Sequence, residues 1–527
     1  MNHLNQHLEA IITIKQRMVT MDKKEALEHL RNKFGFNNFK ENQWEIIQRI
    51  LNGEKILLIA RTGFGKSLCY QFPATVFDGI TLVFSPLIAL MRDQVKFLRK
   101  KGIPAASINS NHSNDSEENR KINKKILEDA VNGKYKILYI APERIDNETW
   151  KKYLPNLKIS FVVVDEAHCI SVWGHDFRPD YRKIREIIRA VPKSIPVLAV
   201  TATADDFIAE DIKEQMQSYI GEDIEIVRND LFRENLRIRV IEVNGEEEKL
   251  AFLLRYLKEN NNGSGIVYTA SRGRAEKYSR WLRFNNINAI YYHSEIKSKD
   301  RKNIEKEFFE NKYKCVVATN ALGMGIDKKD IRFIIHTEFP GSLIHYYQEI
   351  GRAGRDNKPS DIILLYDEKD IEIQEYFIDQ SKPERYKYEL VLISLKRKRA
   401  TFDELVNETK LRKREVNNIL VDLQDQRAIF KNNLDGKTYY EYNPNFKEIN
   451  YAKIEGIKRY KLKKLYDFKD FVYSRKCRMN YLCNYLGNHT TRKCGACDND
   501  TNRFISANIS QQERQLLKKF YSIIHRS

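Results

Sequence analysis

The chain has 527 residues, room for about three or four domains of ~150 residues each, and its 42% hydrophobic and 31% charged content excludes a disordered or fibrous polymer. A net charge of +19 points to a polyanionic partner, and no apolar run approaches the ~20 residues that span a membrane. Seven cysteines are scattered: Cys69, Cys169 and Cys315 stand singly in apolar segments, which predicts buried core thiols in a reducing compartment. The N-terminus makes a poor signal peptide, so an intracellular protein is expected.

In chain order, residues 1–21 read as an extension, and MDKKEALEHL opens a helix. Residues 22–53 are amphipathic helical text with Phe36, Phe39, Trp44, Ile47 and Ile50 apolar. Phe36 suits stacking on a nucleobase and Gln43 two-way pairing with an adenine edge; core packing and a plain surface position are the competing readings. The apolar run Ile56–Ile59 then drops into Thr62-Gly63-Phe64-Gly65-Lys66-Ser67. Gly63 and Gly65 supply bare backbone, and successive N–H groups at a helix start cradle phosphates. Lys66 is placed to reach the β- and γ-phosphates and Ser67 to ligate Mg²⁺. Ala60 replaces the first glycine of the usual pattern.

Beyond this loop, strand-like and helix-like segments alternate, predicting a parallel sheet with helices on both faces, of α/β class. Predicted strands are Ile80–Phe84, Ala106–Ile108, Ile137–Ile140, Phe161–Val164 and Val197–Val200. The fourth ends in Asp165-Glu166-Ala167-His168, where such sheets bind ligands. Asp165 is the candidate Mg²⁺ ligand and Glu166 the candidate base for the attacking water. In AHCISVWGHDFRPDY (167–181), aromatics beside cations suit stacking on unpaired bases, and packing under the sheet is the alternative for Tyr181. Thr201-Ala202-Thr203-Ala204 closes the sheet with small hydroxyls that suit a link between nucleotide and nucleic-acid sides.

A linker is expected near Arg228–Leu236, then a second alternating block with strands Ile238–Val243, Gly265–Thr269, Ala289–Tyr292, Cys315–Ala318, Phe333–His336 and Asp361–Leu365. It has no phosphate loop. It carries GMGIDKKD (323–330) and QEIGRAGRD (348–356), whose Arg352 and Arg355 suit stabilising charge on a γ-phosphate. Next come helices Tyr386–Leu395, Phe402–Glu408 and Lys413–Gln424 and a hairpin about Asp435-Gly436, the order of a winged helix. Its charge comes from Lys410, Arg412, Lys413 and Arg414, and packing against the core is the competing role. Helices Tyr460–Val472 and Arg475–Leu486 then form a hairpin leading to a cysteine-rich stretch.

FGFNNFKENQ (34–43), TGFGKSLCYQFPA (62–74), SPLIALMRDQV (85–95), APER (141–144), DEAHCISVWGHDFRPDY (165–181), TATA (201–204), YTASR (268–272), ATNALGMGID (318–327) and YYQEIGRAGRD (346–356) resemble the superfamily 2 helicases, specifically the DEAH-type RecQ family. The resemblance implies two tandem RecA-like parallel-sheet lobes (22–230 and 231–381); beyond them the residues read as the winged-helix-like domain (382–445), a helical hairpin with a zinc module (446–503) and a helical tail (504–527). It assigns nucleotide contacts to Phe36, Lys40, Gln43, Thr62, Gly63, Gly65, Lys66 and Ser67. Mg²⁺ falls to Ser67 and Asp165, the base to Glu166, and the arginine fingers to Arg352 and Arg355. DNA coupling falls to Trp173, His175, Phe177 and Arg178. Lys40 stands where arginine is usual and Arg61 where proline is. Zinc ligands fall on Cys477, Cys494 and Cys497, with Asp500 in place of a fourth cysteine; His489 is a rival fourth ligand and Cys483 a core position. The winged helix precedes the cysteine module here, whereas in many relatives it follows.

The implied activity is an ATP- and Mg²⁺-dependent 3′–5′ DNA helicase in repair and recombination. It would act on single-stranded and forked duplex DNA, in the cytoplasm, and in association with the nucleoid if the source is bacterial. The alternatives are an RNA helicase and an ATP-switched clamp or annealing factor that does not unwind.

Overall fold

The computed structural model describes residues 21–108, 117–145, 148–171, 173, 178–260, 263–323, 328–434 and 437–524. His175, Phe177, the Asp435-Gly436 turn and residues 1–20 lie outside them. The chain divides into two compact units, Met1–Asp230 and Leu231–Ser527.

The first unit is built on seven strands: β1 (Lys55–Ile59), β2 (Ile80–Phe84), β3 (Ala105–Ile108), β4 (Ile137–Ile140), β5 (Ile159–Asp165), β6 (Val197–Thr201) and β7 (Glu225–Arg228). They pair in the order β3-β4-β2-β5-β6-β1-β7, all parallel. Residues Leu82–Phe84, Phe161–Val164 and Leu198–Val200 are fully buried, as expected of strands covered on both faces. Asp22 caps the first helix, Lys23–Phe34, in a capping box with Glu25. Met21 packs against the core of this unit. The expected linker starts too early, since Arg228 ends β7, which pairs with β1. At four residues, with a charged residue at each end, β7 carries neither an apolar run nor a clear alternation.

The second unit holds β8 (Leu236–Glu242), β9 (Ser264–Tyr268), β10 (Ala289–Tyr292), β11 (Cys315–Ala318), β12 (Ile331–His336) and β13 (Ser360–Tyr366). Their order is β10-β11-β9-β12-β13-β8, again parallel throughout. Helices Arg385–Arg397, Phe402–Thr409 and Lys413–Asp425 follow, with a small antiparallel sheet of β14 (Ala400–Thr401), β15 (Ile429–Leu434) and β16 (Lys437–Tyr442). This is the winged-helix arrangement. Its apolar core extends past residue 445 to Phe446, Ile449 and Ile454.

Helix Tyr451–Tyr473 packs against the second sheet's lobe through Phe468, whose ring lies 4.1 Å from Phe339 and 5.3 Å from Tyr346. The last helix, Gln511–Ile524, is no loose tail. Leu517 and Phe520 belong to that lobe's buried core, Phe520 meets Trp281 at 5.1 Å, and Glu513 pairs with Arg255. Among the described residues, no helix is long and apolar enough to cross a membrane.

Candidate active site and metal centre

In the first unit the chain leaves β1 through Ala60 and Arg61, turns at Gly63 and Gly65, and enters helix Lys66–Val76. Gly63 and Gly65 have φ of +85° and +90°, a region that costs other residues steric strain. A Cβ on Gly65 would also sit 2.7 Å from Gln43 Nε2. Gln43, buried, donates to the carbonyls of Phe64 (2.9 Å) and Gly65 (3.3 Å) and accepts from the Lys40 N–H at 2.8 Å. Lys40 Nζ donates to the Gly63 carbonyl at 2.7 Å. The two residues assigned to the nucleobase thus brace the phosphate loop here, while Phe36 stays 43% exposed. The Lys66 ammonium spans the loop to the Ala60 carbonyl at 2.9 Å.

Asp165 ends β5 beside this loop. Ser85 donates to its carboxylate at 3.2 Å, and burial, reinforced by the neighbouring charge of Glu166, pushes the Asp165 carboxyl up to about 7 against the pull of Lys66. A buried acid of this kind suits a divalent cation, and Ser67 lies on the first turn of the adjoining helix. Glu166 adopts φ +51°, a left-handed conformation that a non-glycine residue holds only where its surroundings enforce it. Its carboxylate lies 3.3 Å from His168 Nδ1, and His168 lies 3.0 Å from the Thr201 hydroxyl. The acids after β5 are thereby tied to the end of β6. Tyr181 is fully buried and donates to the Asp165 carbonyl at 2.9 Å, so it packs under the sheet. Trp173 meets Phe207 edge-on, and Arg178 pairs with Glu143 at 3.8 Å.

In the second unit Arg352 is buried. It donates to the Gly323 carbonyl at 2.5 Å, and its Nε is buried with no hydrogen-bond partner among the described residues. Arg352 and Arg355 both act on the phenol of Tyr268, which burial pushes up and the two guanidinium groups pull down. His336 stacks on Tyr268 at 5.2 Å and meets Glu349 at 2.7 Å. The turn carrying the arginines is held from the expected linker: buried Arg233 donates to the carbonyls of Ala353 and Gly354 at 2.9 and 2.8 Å. Arg233 escaped the sequence reading because its partners lie more than a hundred residues along the chain.

Cys477, Cys494, Cys497 and Asp500 bring four donor atoms within 4.8 Å of one another; among the described residues the cluster includes neither His489 nor Cys483, which is fully buried. Backbone N–H groups point at each donor: Cys494 at Cys477 Sγ (3.2 Å), Arg478 at Cys497 Sγ (3.5 Å), Ala496 at Cys494 Sγ (3.5 Å) and Gly495 at Asp500 Oδ2 (2.9 Å). Cys497 is held well below the usual thiol range by the other two sulfurs, while Cys477, to about 11, and Cys494 are pushed up by sharing protons with their neighbours. Three thiolates and a carboxylate fit tetrahedral zinc. Beneath them Arg478 binds Asp498 at 2.9 Å, both buried, and donates to the carbonyls of Phe471, Val472 and Ser474 at the end of the long helix. Asp498 in turn accepts the Val240 N–H of β8 at 2.9 Å, docking the module on the sheet.

Residues 40–211 match the DEAD/DEAH box helicases, 248–357 the helicase conserved C-terminal domain and 422–501 the RecQ zinc-binding domain. The fold of two parallel-sheet lobes is shared with Saccharomyces cerevisiae Dbp5 (TM-score 0.53, 17% identity, 68% of this chain and 93% of that one). It is shared also with the DUF1998 helicase MrfA bound to DNA (TM-score 0.53, 21% identity, 85% and 64%). Phosphate loop, acids after β5 and a second lobe bearing paired arginines fall within the regions that match the DEAD/DEAH box helicases and their conserved C-terminal domain. The ATP-dependent DNA helicase RecQ of Bacillus subtilis is 40% identical over 356 residues, 67% of this chain and 58% of that protein. The probable ATP-dependent DNA helicase RecS of the same organism is 40% identical over 349 residues, 66% and 67%. This chain belongs to the RecQ family. It spans 53–58% of the length of the RecQ proteins of B. subtilis, Haemophilus influenzae and Pasteurella multocida.

Proposed function

We propose that the protein is an ATP-dependent 3′–5′ DNA helicase that moves on single-stranded DNA and opens forked duplexes in repair or recombination. The observation that carries the reading is the linked set at the ends of β1, β5 and β6: Lys66 over the phosphate loop, Asp165 and Glu166 beside it, and His168 joining Glu166 to Thr201. In this reading Lys66 holds the β- and γ-phosphates while Phe36, Lys40 and Gln43 meet the base. Ser67 and Asp165 hold Mg²⁺, which would supply positive charge to the phosphates. Glu166 orients the attacking water and takes its proton. Arg352 and Arg355 answer the charge that develops on the γ-phosphate.

Trp173, His175, Phe177 and Arg178 respond to DNA. Cys477, Cys494, Cys497 and Asp500 hold zinc, and the 382–445 domain meets duplex DNA. In that domain the C-terminal half of helix Lys413–Asp425 is taken up by Lys382–Asp422 and Lys453–Asp425 pairs, whereas Lys413, Arg414, Asn417 and the run Lys396–Arg399 are exposed. The cationic surplus binds phosphates without reading sequence, so affinity falls with salt at a slope of about −0.7 per neutralised phosphate on single strands.

The test is strand displacement on forked substrates of defined polarity by the wild type and Glu166→Gln, with matched RNA forks alongside and zinc measured on the same preparation. ATP-dependent opening of DNA forks with a 3′ tail, lost in Glu166→Gln, is expected. Equal or better opening of RNA forks, or DNA-stimulated hydrolysis without displacement, would replace the reading with one of its two rivals.

A further inference from the structure

Phe207 stands three residues beyond the Thr201–Ala204 strand end, on the first turn of helix Asp206–Ile220. Its neighbours Ile208, Ala209 and Ile212 close the core, but its own ring is 51% exposed. Core packing therefore does not account for an aromatic here. What it meets is Trp173: the ring centroids are 5.6 Å apart and the planes cross at 77°, an edge-to-face pair of the favourable kind.

The turn that carries Phe207 is rigidly mounted. Asp205 caps the helix by accepting the Ile208 N–H at 2.8 Å. Arg228 donates to the Ala204 carbonyl at 3.0 Å and to the Asp206 carboxylate at 2.8 Å. The short turn Ala167–Ile170, which follows the two acids, packs against the same helix. At the other end of this strand end, the Thr201 hydroxyl contacts His168, and His168 contacts Glu166. A continuous set of fixed contacts thus runs from Phe207 to the residue assigned to water activation.

We infer that Phe207 is the positioning residue for Trp173, the surface against which that indole is registered. A base that draws Trp173 away then alters the Thr201–His168–Glu166 contacts. The inference rests on the helicase reading above and extends it to a residue that none of its motifs contains. Phe207 itself need touch neither nucleotide nor DNA.

The test compares ATP hydrolysis with and without saturating single-stranded DNA in the wild type and in Phe207→Ala, Phe207→Leu and Phe207→Tyr. Emission of Trp173 is isolated by difference against Trp173→Phe, since the chain has four tryptophans. In Phe207→Ala the DNA-stimulated rate should drop about three- to tenfold, the range one aromatic pair supplies, while basal hydrolysis and the DNA concentration for half-stimulation hold within about twofold. Trp173 emission should shift before DNA is added. Tyrosine should restore both signals and leucine neither. Undiminished stimulation and emission in Phe207→Ala, or leucine serving as well as tyrosine, would overturn the inference alone. Loss of basal hydrolysis together with thermal stability in Phe207→Ala would make it a folding residue and overturn it too. A wild type without DNA stimulation would remove the helicase reading, and this inference with it.

Discussion

At the carboxyl ends of β1, β5 and β6 the first lobe holds Asp165, which burial and the charge of Glu166 push up to about 7 against the pull of Lys66. At the corresponding ends of β9, β12 and β13 the second lobe is also charged and buried, and there its acids meet cations of the same lobe. Lys249 meets Asp370 at 2.5 Å and Glu338 at 3.6 Å, while Arg274 meets Glu338 at 3.1 Å. The N–H of Ala270 and the Thr337 hydroxyl donate to Glu338 Oε2, each at 2.8 Å. Two sheets of the same parallel construction thus use the same crest differently. In one it carries the acids proposed above to hold Mg²⁺ and activate water; in the other it is an ionic cluster of buried Lys249, Glu338 and Asp370 with Arg274.

The contrast can be broken most severely with Lys66→Ala, expected to reduce ATP hydrolysis to background with thermal stability unchanged, read by phosphate release and by melting. Arg352→Ala should lower hydrolysis by about 10³-fold or more while nucleotide binding, followed by a fluorescent analogue, largely survives. Lys249→Ala should do the opposite. Two buried carboxylates lose their ammonium, so the second lobe should lose about 3–5 kcal/mol in urea unfolding without a direct effect on the chemical step. If Lys249→Ala stopped hydrolysis in a fully stable protein, the second crest would be a reaction centre after all.

The smallest expected effect concerns pH. Burial, outweighing Lys249, raises the Asp370 carboxyl from 3.8 to about 6. Between those values the folded chain holds a proton that the unfolded chain releases, so this contribution to stability is full below pH 4 and is lost as pH rises through 6. Asp370→Asn should flatten that portion of a melting-temperature profile.

Strand and helix order was legible because both sheets are covered on two faces, which writes their strands as apolar runs such as Phe161–Val164. The phosphate loop and the cysteines were legible because their chemistry needs particular residues at short spacing. β7 was not, being a short edge strand with no apolar run, and neither was the place of Phe520 in the second lobe's core, which only tertiary packing decides. Gln43 shows a different limit. Its residue type suits an adenine edge, but its donors here hold the loop backbone, a use that spacing alone does not distinguish. Arg478 and Asp498 each follow a cysteine directly, and that adjacency of a charged residue to a candidate metal ligand was a signal available in the chain.

The carboxylate of Asp498 has one consequence beyond anchoring. β8 borders its sheet, and an uncovered border offers unpaired N–H and C=O groups to any neighbouring chain. By taking the Val240 N–H, the cysteine module acts as a guard against aggregation, so protein stripped of the metal proposed here would be prone to self-association as well as to loosening of the hairpin.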